Sequence, residues 1–386
     1  MAKRLPPTQI TLRRPTYGHL PETAKALAAK AKDLDALRTS VVDAATVGGT
    51  IWLSYLFTLF YLAIAAGAVT HKDLFFEHGV KLPFLNVELP LRAFFALGPA
   101  LFLIAHLYML LHFVLLAGKV GAFRTELEAQ ISDADSPGTK NAEIRTSLRR
   151  QLPSNVLVQF LAGPRDVRHG LMGGLLKLIA WFSLVIGPVM LLVFFQLQFL
   201  PYHDEAITWW HRLAVLLDII LLWSLWPAIA RAEPVTVPWR GLRWTAVPLG
   251  SLSLVPLLLV FTVATFPGER WHETLPSIRF IPTTGELLLS NENGAAILDE
   301  RGRPIASIGW RLRSFHEVLL VGQIDHVARR STSPFSNVLV LPGLDAIDRT
   351  KFDSEAKISA ARETISLRGR RLEGAVLLDV HFYNTR

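Results

Sequence analysis

The chain has 386 residues, 51% of them hydrophobic and only 19% charged, with a positive mean hydropathy; soluble proteins of that size carry more charge, so composition leaves membrane protein as the class. The formal net charge of +8 suits basic residues gathered on the cytoplasmic side of a membrane better than nucleic acid binding. The absence of cysteine excludes disulfides, thiolate metal sites and cysteine nucleophiles.

Residues 1–43 form a basic cytosolic arm without the apolar core of a signal peptide. Within it, Ala24, Leu27, Ala28, Ala31, Leu34 and Leu37 recur at helical spacing. They predict an amphipathic helix that lies on the membrane or on its own protein, or that docks a partner. A helix rises about 1.5 Å per residue, so roughly twenty apolar residues cross the hydrocarbon core. Spans are predicted at residues 44–69, beginning near Gly48 and Gly49, and at 92–117, making a first helical pair over 44–118. A basic segment, 119–170, follows. Residues 171–266 then read as a helical hairpin, with apolar runs at 175–200 and 213–230 around Pro201-Tyr202-His203-Asp204-Glu205, plus a fifth span at 244–266 that contains Pro248 and Pro256. Trp209, Trp210, Trp239, Trp244 and Trp271 fall near span ends, where interfacial aromatic anchors belong.

The arm, the 119–170 segment and the 231–243 loop are all basic, while the loop at 71–91 and the turn at 201–210 are not. The N-terminus is therefore expected in the cytoplasm, and five spans would put the chain after Pro267 on the periplasmic side. That tail reads as a water-facing β-rich domain over 267–352, with strands at 277–281 and 286–290 around a turn Pro282-Thr283-Thr284-Gly285, and further turns at 291–294 and 299–302. Asp353-Ser354 predicts a cap for a short helix within 353–386. At the end, Leu367, Leu372, Leu377 and Phe382 recur every five residues, with Gly369 and Gly374 on the same period. That spacing fits a squared β-solenoid with these four as its core. A single coil cannot bury its own core, so it would either begin a longer array or dock on something.

Leu367 to Phe382 resembles the opening of a pentapeptide-repeat solenoid. Lys72-Asp73-Leu74-Phe75-Phe76, Lys81-Leu82-Pro83, Gln198-Phe199-Leu200-Pro201-Tyr202-His203, Arg149-Arg150-Gln151-Leu152-Pro153-Ser154-Asn155 and Pro334-Phe335-Ser336-Asn337 resemble the multi-span region that precedes such repeats in a group of bacterial pentapeptide-repeat membrane proteins. Arg370 departs from that pattern, at a position usually filled by a small residue. The resemblance implies a bacterial inner-membrane location and supplies no catalytic set. The expected fold is thus a polytopic α-helical membrane protein with about five transmembrane helices, a small β-rich domain and the start of a pentapeptide-type β-solenoid.

Intramembrane ionisable residues mark functional sites by default. Asp218 lies in the fourth span, predicted level with Tyr61 and near Gln196 and Thr262; His106 is predicted deeper, level with Ser224 and Ser253 and bonded to a serine or a carbonyl. His71, Asp73, Glu77 and His78 in one loop, with His203, Asp204, Glu205 and His211 in the other, are ordinary loop polarity or, alternatively, ligands for Zn²⁺ or Cu²⁺. No phosphate loop, nucleophile elbow or H-E-x-x-H motif is present. The chain is read as no enzyme and as having no cofactor or metal. Its expected partners are the lipid bilayer and unidentified proteins, in a homo-oligomer or a larger membrane complex. The competing functions are a membrane-anchored scaffold, a transporter, channel or proton-linked sensor built on Asp218, and an accessory subunit.

Overall fold

The computed structural model describes residues 22–82, 87–131, 140–232, 247–269, 279–288 and 306–314, with shorter stretches between 319 and 382. Among the described residues, four helices are long and apolar enough to cross a membrane. The first, α1 (Glu22–Gly67), is a single 46-residue rod. Its predicted arm helix and first span are continuous, because the sequence holds no proline, and no glycine before Gly48, that would separate them. α2 (His71–Phe76) follows, opened by a capping box in which Thr70 Oγ1 accepts from Asp73 N and Asp73 Oδ2 from Thr70 N. A small antiparallel hairpin, β1 (Val80–Leu82) and β2 (Val87–Leu89), leads into α3 (Leu91–Gln130).

At the far end of the bundle lie α4 (Lys140–Arg150), α5 (Val156–Ala162) and α6 (Arg165–Arg168). Asn155 caps α5 by accepting from the Leu157 and Val158 amides, and its own amide donates to the Ala45 carbonyl of α1. The third span runs through α7 (Gly170–Trp181), a five-residue π turn (Phe182–Ile186), α8 (Gly187–Phe199) and a closing 3₁₀ turn to Tyr202. His203, at φ 59°, reverses the chain, and Asp204 caps α9 (Glu205–Arg231). The fifth apolar stretch is described as α10 (Val247–Leu258) ending in a second π turn (Leu259–Val263); this is shorter than the predicted span, whose first residues lie outside the described ones.

α1 packs on α3 and α8, and α9 on α3 and α8. Hydrocarbon is as apolar as leucine, so shape and polar bonds hold such helices together. Shape is tight at Gly98, where a Cβ would stand 2.7 Å from the Phe195 ring. Phe94, Phe95, Phe195 and Phe199 interlock around that point by stacked and edge-on contacts. Outward, Leu53, Phe57, Phe60 and Ile64 of α1 and Leu97, Leu101, Ile104 and Tyr108 of α3 make exposed apolar stripes at helical spacing, the surfaces that meet lipid.

Beyond the bundle, β3 (Arg279–Leu288) pairs antiparallel with β4 (Ala306–Ser314). The turn predicted at Pro282-Thr283-Thr284-Gly285 is instead strand: Pro282 stands opposite Leu312 and Gly285 opposite Gly309. In a two-stranded ribbon each strand has an open edge, which tolerates a proline without N–H. The turns predicted at 291–294 and 299–302 lie outside the described residues. Ser354 caps α11 (Glu355–Ala360) by accepting from the Lys357 amide, as Asp353-Ser354 predicts.

The end of the chain docks on the loop end of the bundle. The Arg370 amide bonds to the Leu367 carbonyl and the Ala375 amide to the Leu372 carbonyl, giving two turns five residues apart. Gly374 supplies the positive φ of the second, 72°. Leu367, Leu372 and Leu377 pack against the bundle core, whereas Phe382 is 42% exposed. Val376 forms a parallel bridge with Val340; among the described residues no closed solenoid coil is present.

Candidate functional site

Prolines and π turns leave helix carbonyls without donors, and in a membrane these need partners. Three such places organise the bundle. The α-helical donor to Phe95 O would be the nitrogen of Pro99; His211 Nε2 donates there instead, at 2.8 Å, and Trp210 Nε1 donates to Ala96 O at 2.9 Å. The second place is the end of α10. There Ala264 N turns to Leu259 O and Thr265 N to Val263 O, so Val260 O loses both its usual donors. Gln196 Nε2 donates to Val260 O and Ala264 O, and Arg212 donates to the same two carbonyls. Glu269 neutralises the guanidinium with two oxygens, at 2.5 and 3.1 Å; both side chains are 1% exposed.

The third place is the centre of the bundle. Gly187 N bonds to Phe182 O, one residue further back than in an α-helix, and Pro188 has no N–H to give. Ser183 O and the α-helical acceptor Leu184 O are thereby freed. Tyr55 of α1 donates its hydroxyl to Ser183 O at 3.1 Å, and His106 of α3 places Nε2 3.2 Å from Leu184 O. The other imidazole nitrogen, Nδ1, lies 2.6 Å from Asp218 Oδ1 of α9, and both side chains are fully buried. Tyr55 and Phe102 stack against the His106 ring at 5.6 and 5.9 Å. One junction thus joins all four spans.

The structure corrects the predicted partners. Asp218 meets His106, and not Tyr61, whose hydroxyl has no hydrogen-bond partner among the described residues. Gln196 serves α10, and Thr262 bonds back to Leu258 O. The reason is where α9 begins. It starts at Glu205, so Asp218 lies thirteen residues in, about 20 Å deep, level with His106 at about 22 Å in α3 and Tyr55 at about 18 Å from the end of α1. Tyr55, Arg212 and Glu269 were not singled out by sequence reasoning. An arginine inside a helix and an acid just past the fifth apolar stretch, at one end of the bundle, were the available signal.

The two loop clusters do come to the same end, but they hold the tail. His71 Nδ1 accepts from Val340 N, at 3.0 Å; Val340's neighbours pair with Val376, so its own amide points away towards α2. His203 Nε2 donates to Asn337 O, at 2.8 Å, and its ring stacks on Phe266. His78 lies between Asp73 and Asp348, 3.3 and 3.2 Å away. Arg370 donates to Glu77 and Leu74 O and covers the Tyr202 ring. Arg92 pairs with Asp204 and Arg371 with Glu205. Burial pushes the His71 and His203 imidazoles below their ordinary range; for His203, Asn337 and Glu373 oppose the shift. Burial raises the Asp73 carboxyl, but bonds from Thr70 and His78 outweigh it and hold the group low. Among the described residues no three His, Cys, Asp or Glu side chains stand together as metal ligands.

A cavity of about 450 Å³ between α8, α9 and α10 is walled by residues such as Val189, Val193, Leu222 and Pro256; among the described residues Ser253 is its one polar side chain, and none offers a reactive group. No family model, no curated protein and no solved structure matches this chain.

Proposed function

We propose that the chain is a non-enzymatic scaffold of the bacterial inner membrane. Its amino-terminal arm is cytoplasmic. Its periplasmic C-terminal part, a β-rich domain and the start of a pentapeptide-type solenoid, is held against the bundle for partner proteins. The observation that carries this reading is Arg370, which fastens the tail to α2 and the Tyr202 turn through Glu77, Leu74 O and the Tyr202 ring. The use of polar groups inside the spans supports it: His211, Gln196, Arg212, Tyr55 and His106 each bond a carbonyl near a proline or π turn, so they tie helices together instead of lining a route.

Photo-crosslinking from β4 in native membranes, followed by mass determination, tests the proposal. A discrete heterologous adduct that weakens in Arg370→Ala is the expected result. Identical adducts in both proteins, adducts at multiples of the chain's own mass alone, or ion flux in proteoliposomes that Asp218→Asn abolishes, would each overturn it.

A further inference from the structure

Asp218 is the exception to the carbonyl-capping pattern. Its contact is another side chain, and its second oxygen, Oδ2, is buried without a hydrogen-bond partner. The geometry around it fixes where protons must be. Leu184 O can only accept, so His106 Nε2 carries a hydrogen. Nδ1 and Oδ1, 2.6 Å apart, cannot face each other with two lone pairs, so a second hydrogen lies between them. Imidazolium with carboxylate and imidazole with carboxylic acid both meet this condition, and both leave the pair with zero net charge.

We propose that His106 and Asp218 form a proton-binding site, holding one proton on the Nδ1–Oδ1 axis, and that its occupancy keeps α9 seated against α3 and the Phe182–Ile186 turn. This goes beyond the scaffold reading and does not depend on it. Removing the proton would leave a net negative charge and two opposed lone pairs in a place where burial of an unpaired charge is costly. Among the described residues nothing nearby compensates. Tyr55 faces the pair from α1 and gives its hydroxyl to Ser183 O; Phe102 covers the ring from α3; the π turn contributes carbonyls; and Arg212, six residues away on α9, is already bonded to Glu269. A metal cation is a poor occupant. Hard cations take about six oxygens or more, and here a single carboxylate oxygen is left over.

The test exploits Asn at position 218. Its amide N–H would supply Nδ1 with a hydrogen that does not titrate. The full chain in lipid nanodiscs, wild type and Asp218→Asn, is unfolded thermally from neutral to alkaline pH. The expected result is a wild-type midpoint that falls by several degrees relative to Asp218→Asn as pH rises; parallel profiles would overturn the proposal. Should Asp218→Asn fail to fold, histidine-selective ¹⁵N NMR of the wild-type chain decides. A His106 whose Nε2 is protonated and whose Nδ1 is protonated or strongly hydrogen-bonded at neutral pH, assigned by its loss in His106→Gln, supports the site, and a free-base resonance from either nitrogen rules it out.

Discussion

Residue by residue, the interior of the bundle is governed by missing hydrogens. Pro99 and Pro188 each withhold one donor, and the side chains that replace them come from a different helix. Tyr55→Phe removes one such bond while keeping the ring stacked on His106, so a loss of about 1 kcal/mol is expected, read as a lower unfolding midpoint of the full chain. Sequence reasoning marked Asp218 and His106 separately, because an ionisable side chain among apolar neighbours is visible in one dimension. Their meeting was not. The apolar run of the fourth span begins at residue 213, whereas α9 begins eight residues earlier behind the Asp204 cap. Eight residues are about 12 Å of helix, enough to put Asp218 beside the wrong neighbour.

Among the elements, α10 shows what an irregular end demands. A π turn and an inverse γ-turn at Ala264 (φ −77°, ψ 73°) strand two carbonyls, and a guanidinium collects them. Glu269→Gln leaves that guanidinium buried without its counter-charge, for an expected cost of about 3–5 kcal/mol. The double variant Arg212→Met, Glu269→Gln should cost less than Glu269→Gln alone, because Gln196 still serves both carbonyls. Unfolding midpoints of the three proteins check the order. The spans were legible because twenty apolar residues have few other uses, and the α11 cap because Ser354 precedes a helix with no rival reading. Pro282 to Gly285 misled because the same residue types mark turns and open strand edges, and only a partner strand tells the two apart.

For the molecule as a whole, the tail is fixed to the bundle by histidines whose neutral form is favoured. Because burial lowers the His71 and His203 pKa values below the free value of about 6.5, their contribution is complete above that pH. It is lost as pH falls below it towards the depressed folded values. Hydrogen exchange at residues 338–341 is therefore expected to speed up, relative to the intrinsic rate, between pH 7.5 and 5.5. In His71→Gln, His203→Gln the slope should flatten. The five-residue period of the tail was readable in the sequence; the surface it settles on was not, because that surface is assembled from α2, the Tyr202 turn and residues 339–341, which lie far apart in the chain. The uninterrupted α1 has a mechanical corollary. Forty-six residues make a shaft about 69 Å long, against a hydrocarbon slab of about 30 Å, and a shaft without a joint cannot twist at one end and stay still at the other. Whatever grips its protruding part also sets the azimuth of Tyr55, so the basic arm and the central junction share a single rotational coordinate.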